Sequence, residues 1–322
     1  VYKRQGHGTT FVVKISQERL SDERIGDFKD RYRQYMKERK TYKSKLCAPD
    51  VSVLVVDDNV MNLKVIKMML KPTRMKVSTC ASGAECLELI KKYRYDIILM
   101  DHMMPEMDGM ETFHRAMLMR DSLCGRSTYI VMTANAVMGA REMYLAEGFK
   151  DYISKPVQPE VLEDILMRYI PEDKLVDPTV CDEDRESPTM GAGTVDDTAG
   201  VMEKQNSDTS WKEVHIDHEK GLTYCGGSED FLKEIISMYA ADDKRAEIQR
   251  AYDEKDWDGY RILIHTVKST SRTIGAMELG DEAQELENAV KELDVDMICK
   301  MHESVMASYS AVLDWCRVTT AQ

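Results

Sequence analysis

Five short apolar runs, each followed by a segment with helical spacing, alternate along residues 51–169. The first, VSVLVV at 51–56, is continuous and β-branched, as a strand covered on both faces must be, and it stops at Asp57-Asp58-Asn59. A helical stripe of Leu63, Ile66, Met69 and Leu70 follows, with Pro72 just past its end. The alternation continues with strands at 76–79, 96–100, 128–132 and 151–154 and helices at 82–92, 109–119, 137–147 and 159–169. Five β/α pairs predict a doubly wound parallel sheet, because right-handed crossovers put helices on both faces. In such sheets the binding site lies beyond the carboxyl ends of the strands.

That edge is where the reactive side chains fall: Asp57 and Asp58 after the first run, Asp101 after the third, Thr133 after the fourth and Lys155 after the fifth. Three converging carboxylates repel one another unless a cation sits among them. Mg²⁺, a hard ion that takes oxygen ligands and keeps some of its waters, suits the set. Asp58 and Asp101, with the backbone carbonyl of Met103, are the expected direct ligands, and Asp57 acts through a bound water. Asp101 is then the nucleophile towards a phosphorus whose oxygens the metal and the Lys155 ammonium neutralise. The Thr133 hydroxyl donates to a phosphoryl oxygen. Taken singly, an Asp-Asp-Asn is an ordinary helix cap and a strand-end threonine an ordinary turn residue; their joint placement carries the argument. His102 is expected to point away from the pocket.

Residues 50–171 resemble the response-regulator receiver family, a flavodoxin-like fold, through VVDDN, LMDHMMPEMDG, MTANA and DYISKP. The resemblance implies Asp57 and Asp58 as the acidic pair, Asp101 as phosphoacceptor, Thr133 as switch hydroxyl, Lys155 as the family's lysine and Tyr152 as the aromatic that changes rotamer on activation. It also implies a cis bond before Pro156, which proline alone makes cheap, and a tuning role for Met103 and Asn135.

Residues 172–210 lack aromatics and are rich in Asp, Glu, Gly, Ser, Thr and Pro, too polar to offset their ordering entropy. They read as a disordered acidic linker. A tether of ~38 residues has an r.m.s. span of ~30–37 Å, which raises the mutual concentration of its two ends towards the millimolar range.

Residues 211–322 read as helices with short connections, hence an all-α antiparallel four-helix bundle. In the helix at 257–274, Leu263, Val267, Thr270 and Ile274 form an apolar stripe, while Arg261, His265, Lys268, Ser269 and Arg272 share another face. His265 is expected to be exposed there. Lys268 would neutralise an arriving phosphoryl group, Ser269 leaves room for a partner, and the basic stripe complements an acidic pocket. The segment resembles the histidine phosphotransfer (HPt) domain through HTVKSTS at 265–271 and IGA at 274–276; serine stands at 269 where many members have glycine.

At the N-terminus, residues 1–5 resemble a translated sequencing adaptor and are set aside as a scar. Residues 6–16, with Gly6-His7-Gly8-Thr9-Thr10-Phe11, resemble the last glycine box and closing strand of a histidine-kinase ATPase domain. Residues 17–48 read as a charged helical connector, and the receiver-like part as 49–171. Net charge of -13 argues against nucleic-acid binding, which needs a basic face. Eight cysteines without metal spacing read as reduced thiols, and no apolar stretch reaches the ~20 residues of a membrane span.

The whole resembles the C-terminal part of a bacterial hybrid sensor histidine kinase. It implies a Mg²⁺-dependent two-component phosphorelay: a phosphohistidine donor loads Asp101, Asp101 loads His265, and His265 serves a downstream response regulator. The kinase core of the same parent chain, or of its dimer mate, is the expected upstream partner. No small-molecule substrate beyond a phosphodonor and no ATP-dependent autophosphorylation are expected. The expected location is the cytoplasm, whether or not a parent kinase is anchored to the inner face of the membrane. The alternative is a phosphorylation-gated protein-binding module without internal relay.

Overall fold

The computed structural model describes residues 2–3, 9–10, 44–134, 140–177 and 214–320. The chain divides into a unit of residues 1–40 and a unit of residues 41–322. In the first, strand β1 (Tyr2–Lys3) pairs antiparallel with β2 (Thr9–Thr10). The strand expected from the glycine turn thus finds its partner in residues set aside as a scar, since a backbone ladder is indifferent to side-chain identity. The rest of the ATPase-like segment, and the connector as far as residue 43, lie outside the described residues.

In the second unit, β3 (Ser52–Val56), β4 (Lys76–Cys80), β5 (Ile97–Asp101), β6 (Thr128–Thr133) and β7 (Asp151–Ser154) form one sheet in the order β4-β3-β5-β6-β7. Every pairing in it is parallel. The helices are α1 (Val60–Leu70), α2 (Gly83–Lys92), α3 (Gly109–Leu118), α4 (Ala140–Glu147) and α5 (Pro159–Tyr169). Alternate strand residues serve opposite faces. Val53, Val55, Ile97, Leu99, Ile130 and Met132 pack with α1 and α5, whereas Leu54, Val56, Ile98, Met100, Tyr129 and Val131 pack with α2, α3 and α4. Burial on both faces is why these strands read as unbroken apolar runs. Side-chain caps fix the helix starts: Asn59 accepts from Met61 N at 2.8 Å, Ser82 from Glu85 N at 3.1 Å and Asp108 from Glu111 N at 2.8 Å.

The ordered α/β half is wider than expected at both ends. Leu46 and Ala48 join its core, although the connector was expected to run to 48. At the other end, Lys174 pairs with Asp96 at 2.6 Å and Val176 N donates to Cys47 O at 2.9 Å. Those two ties hold the first residues of the expected linker; residues 178–213 lie outside the described ones. Cys80, Cys86, Cys124, Cys225, Cys299 and Cys316 are free thiols, but Cys47 is engaged in a disulfide, contrary to the expectation of reduced cysteines throughout.

The helical half contains α6 (His218–Tyr224), α7 (Glu229–Ala241), α8 (Arg245–Glu254), α9 (Trp257–Thr273), α10 (Met277–Lys291) and α11 (Val295–Thr320). Helices α7, α9, α10 and α11 make the four-helix bundle; α9 packs on α10, α10 on α11 and α11 on α7. Tyr239 of α7 and Ser271 of α9, hydrogen-bonded at 2.8 Å inside the core, close the ring. The turn between α9 and α10 needs Gly275, whose φ of 88° lies in the left-handed region and whose Cβ, were there one, would meet Asp217 O at 2.2 Å. The short α6 and α8 were not foreseen. One apolar cluster runs from α1 and α5 of the α/β half into the bundle.

Candidate functional site

The sheet delivers its acids to one edge. Asp57 follows β3, Asp101 ends β5, and Asp57, Asp58 and Asp101 each present an oxygen within 4.8 Å of the others. Lys155, just past β7, places its ammonium 2.6 Å from Asp57 Oδ2 and 2.7 Å from Asp101 Oδ2. The expected cis bond is present between Lys155 and Pro156. Asn59 N and Asn62 Nδ2 each donate to Asp57 Oδ1 at 3.0 Å, whereas Asp101 Oδ1 is buried without a hydrogen-bond partner.

Electrostatics follow from that crowding. Burial, reinforced by the charges of Asp57 and Asp58 and opposed by Lys155, pushes the Asp101 carboxyl up to about 8. Burial and Asp57 raise Asp58 to about 6. Burial favours a neutral amine at Lys155, but Asp101 and Asp57 beside it win and hold it above the ordinary lysine range. An orphaned carboxylate oxygen among acids driven towards protonation is the donor set a hard cation fits.

Other members of the site arrive by close backbone approach. Gly109 N donates to His102 O at 3.0 Å, and a Cβ on Gly109 would stand 2.1 Å from Asp101 O, so only glycine lets α3 start there. Met103 lies half-buried in the same turn. Thr133, at the end of β6, is buried and accepts from Tyr144 Oη at 3.2 Å. Tyr152 is half-buried on β7, in register with Val131. His102 is edge-on to the Tyr144 ring, 5.5 Å between centroids. Asn135 lies outside the described residues.

His265 departs from expectation. It is 6 % exposed, and neither ring nitrogen makes an aligned hydrogen bond. The α/β half lies against that face of α9. His265, Ser269 and Thr273 recur at four-residue steps on α9 and are all buried; Ser269 and Thr273 face Lys155, Pro156 and Val157 across a small cavity. Burial, with the Lys268 and Lys155 charges adding and Glu287 opposing, lowers the imidazole to about 4. It is therefore neutral near pH 7.

Two cations of the expected basic stripe are paired within the bundle. Lys268 is fully buried, ion-paired with Glu287 and 3.2 Å from Gln284 Oε1. Arg272 pairs with Asp281 at 2.7 Å, and Arg261 is half-buried. Glu287 is the residue the sequence analysis overlooked: 0 % exposed, 3.4 Å from His265 Nδ1 and 2.6 Å from Lys291 Nζ. Against the effect of burial, His265 and Lys268 keep its carboxyl well below the usual range. Its position four residues after Ala283 and three before Val290, on the apolar stripe of α10, was the available signal. Tyr144 was overlooked as well.

Between the two halves, beside Asp58, lies a cleft of about 410 Å³ lined by Asn59 and Pro105 on one side and by Lys244, Ile262, Thr266 and Thr270 on the other. At the rim Lys64 of α1 forms an ion pair with Glu234 of α7. Among the described residues no helix is long and apolar enough to cross a membrane.

The family model for the response regulator receiver domain matches residues 53–167, and that for the Hpt domain matches residues 235–315. The chain is a receiver domain joined to an Hpt domain. The signal transduction histidine-protein kinase BarA of Shigella flexneri is 27% identical over 76% of this chain and 25% of its own length. The sensor protein GacS of Pseudomonas syringae pv. syringae is 25% identical over 74% of this chain and 24% of its own. The chain thus corresponds to about a quarter of the length of those kinases, and it is homologous to the C-terminal parts of such hybrid kinases. Among solved structures, the receiver domain of a Pseudomonas aeruginosa sensor histidine kinase, determined with magnesium in its active-site cleft, is 34% identical. It covers 37% of this chain and 96% of its own, with a TM-score of 0.34. Receiver and Hpt domains together are the parts of a phosphorelay.

Proposed function

We propose that Asp101 accepts a phosphoryl group from a phosphohistidine donor and passes it to His265, which delivers it to a separate response regulator. In the first step the donor's P–N bond breaks and a P–O bond to Asp101 Oδ1 forms, the donor imidazole regaining neutrality as its ring nitrogen is released. In the second the acyl phosphate P–O bond breaks and a P–N bond to His265 forms. No electrons change hands overall. His265 Nε2 is the proposed nucleophile, with the Glu287 carboxylate 3.4 Å from Nδ1 across the ring.

Asp58, Asp101 and the Met103 carbonyl would hold Mg²⁺, with Asp57 reaching it through water; the ion would supply charge neutralisation for the phosphoryl oxygens. Lys155 neutralises the same oxygens from the other side, and the Thr133 hydroxyl donates to one of them. Lys268 keeps Glu287 charged, and Ser269 keeps the approach to the imidazole uncluttered. Arg261 and Arg272 contribute positive potential near the histidine, and Tyr152 answers the state of Thr133.

The observation that supports this reading most is that Ser269 and Thr273, on the same face of α9 as His265, lie across a small cavity from Lys155, whose ammonium is paired with Asp57 and Asp101. The test is incubation with labelled acetyl phosphate and Mg²⁺. Acid-labile label should appear on His265 and vanish in Asp101→Asn. Label confined to Asp101 would instead make the chain a phosphorylation-gated binding module. The kinase core of the homologous proteins is the proposed donor and a downstream receiver the proposed client.

A further inference from the structure

Phosphoryl transfer demands that acceptor oxygen and donor nitrogen approach the same phosphorus from opposite sides. Only one receiver can therefore occupy the space over His265 at a time. In this chain that space is filled. His265, Ser269 and Thr273 are at most 6 % exposed, the receiver's Lys155–Val157 turn lies against Ser269 and Thr273, and α1 adds Asn62, Val65 and Ile66 against Tyr224. A continuous apolar cluster and the Lys64–Glu234 pair at its edge complete the contact. We propose that the chain's own receiver is the resident occupant of the Hpt domain's histidine face, and that a downstream receiver reaches His265 only by displacing it. The cis contact is then a gate that orders the relay. This rests on the phosphorelay reading for its purpose, but the occlusion itself can be measured without any phosphoryl group.

The occlusion test uses diethyl pyrocarbonate on the full chain, with modification read residue by residue by mass spectrometry. His218 and His114, whose side chains are 57% and 50% exposed, are internal references. His265 should react at least about tenfold more slowly than they do. Thr273→Arg sets a cation and extra bulk against Lys155 and Pro156; it should bring His265 up to the reference rate while circular dichroism shows helicity retained. Reaction of His265 at the reference rate in the unsubstituted chain would overturn the proposal. So would full protection in Thr273→Arg, since the burial would then belong to the bundle alone.

The displacement test mixes two full-length variants. His265→Gln, labelled on Asp101 by acetyl phosphate, is the donor; Asp101→Asn supplies His265. Adding Lys64→Glu to the Asp101→Asn chain weakens its own receiver's hold and should speed intermolecular transfer about two- to fivefold, the scale of an exposed ion pair. The same substitution placed in the donor loosens its cis and its trans contact alike and should change the rate less. Equal rates with and without Lys64→Glu in the Asp101→Asn chain would overturn a shared face. A failure of the phosphorelay reading shows differently, as no label on any histidine despite normal protection of His265.

Discussion

His265 Nδ1 stands 3.4 Å from the Glu287 carboxylate, and that carboxylate also holds the buried Lys268 ammonium. One acid thus lies beside the proposed nucleophile and beside two cations, Lys268 and Lys291. Removing it exposes two dependencies at once.

Glu287→Ala leaves Lys268 buried and uncompensated, and breaking such a pair costs about 3–5 kcal/mol. Urea unfolding should show a loss of that size. Glu287→Gln keeps the shape but not the charge, and it should lower the rate of histidine phosphorylation more than it lowers the yield of phosphoaspartate.

The depressed His265 imidazole makes stability sensitive to acid. In the unfolded chain it should titrate near 6.5; buried as it is here, it is lowered to about 4. The buried neutral ring therefore contributes its full stability above 6.5, and that contribution is lost as pH falls from there towards 4. Residue-resolved NMR of the imidazoles is the measurement, because His102 and His302 are lowered too and would blur a global melt. A titration of His265 near 6.5 in the intact chain would contradict the expectation.

Mg²⁺ should compete with protons at the acid edge. The Asp58 and Asp101 carboxyls are raised above their unfolded value, so without metal they cost stability as pH climbs from about 4 through about 6 and 8. Metal reverses that cost, so its stabilising effect should grow with pH and reach about 2.7 kcal/mol at a hundredfold excess over Kd. Thermal melts with and without Mg²⁺ at pH 5.5 and 8 compare the two regimes, and Asp58→Asn should abolish most of the difference.

Gly109→Ala should damage the acceptor site while leaving the bundle intact. Its methyl would collide with Asp101 O, and relief requires the end of β5 or the start of α3 to move. A stability loss of about 1–3 kcal/mol and slower acetyl-phosphate labelling of Asp101 are expected, with His265 protection from diethyl pyrocarbonate as an independent view of the docked face.

The α/β half was legible because strands buried on both faces leave a simple trace, and Asp57, Asp101 and Lys155 stand where those traces stop. Its boundaries were less so: Leu46 and Val176 are fixed by contacts with residues far along the chain, which no local pattern encodes. In the helical half α8 escaped notice because it buries only Ile248 and Ala251, too few to draw a stripe. Glu287 looked like one surface acid among many, since its cationic neighbours come from α9 and from one turn ahead. The exposure of His265 was misjudged because what lies against that face of α9 comes from distant parts of the chain, Glu287 of α10 and the Lys155–Val157 turn, which no local pattern encodes.

The cleft beside Asp58 sets a limit on what this closure can achieve. Its roughly 410 Å³ are lined by Asp58, whereas Asp57 and Asp101 are 0 % and 1 % exposed. Water or an ion entering the closed chain therefore meets Asp58 before it can reach the acceptor carboxylate.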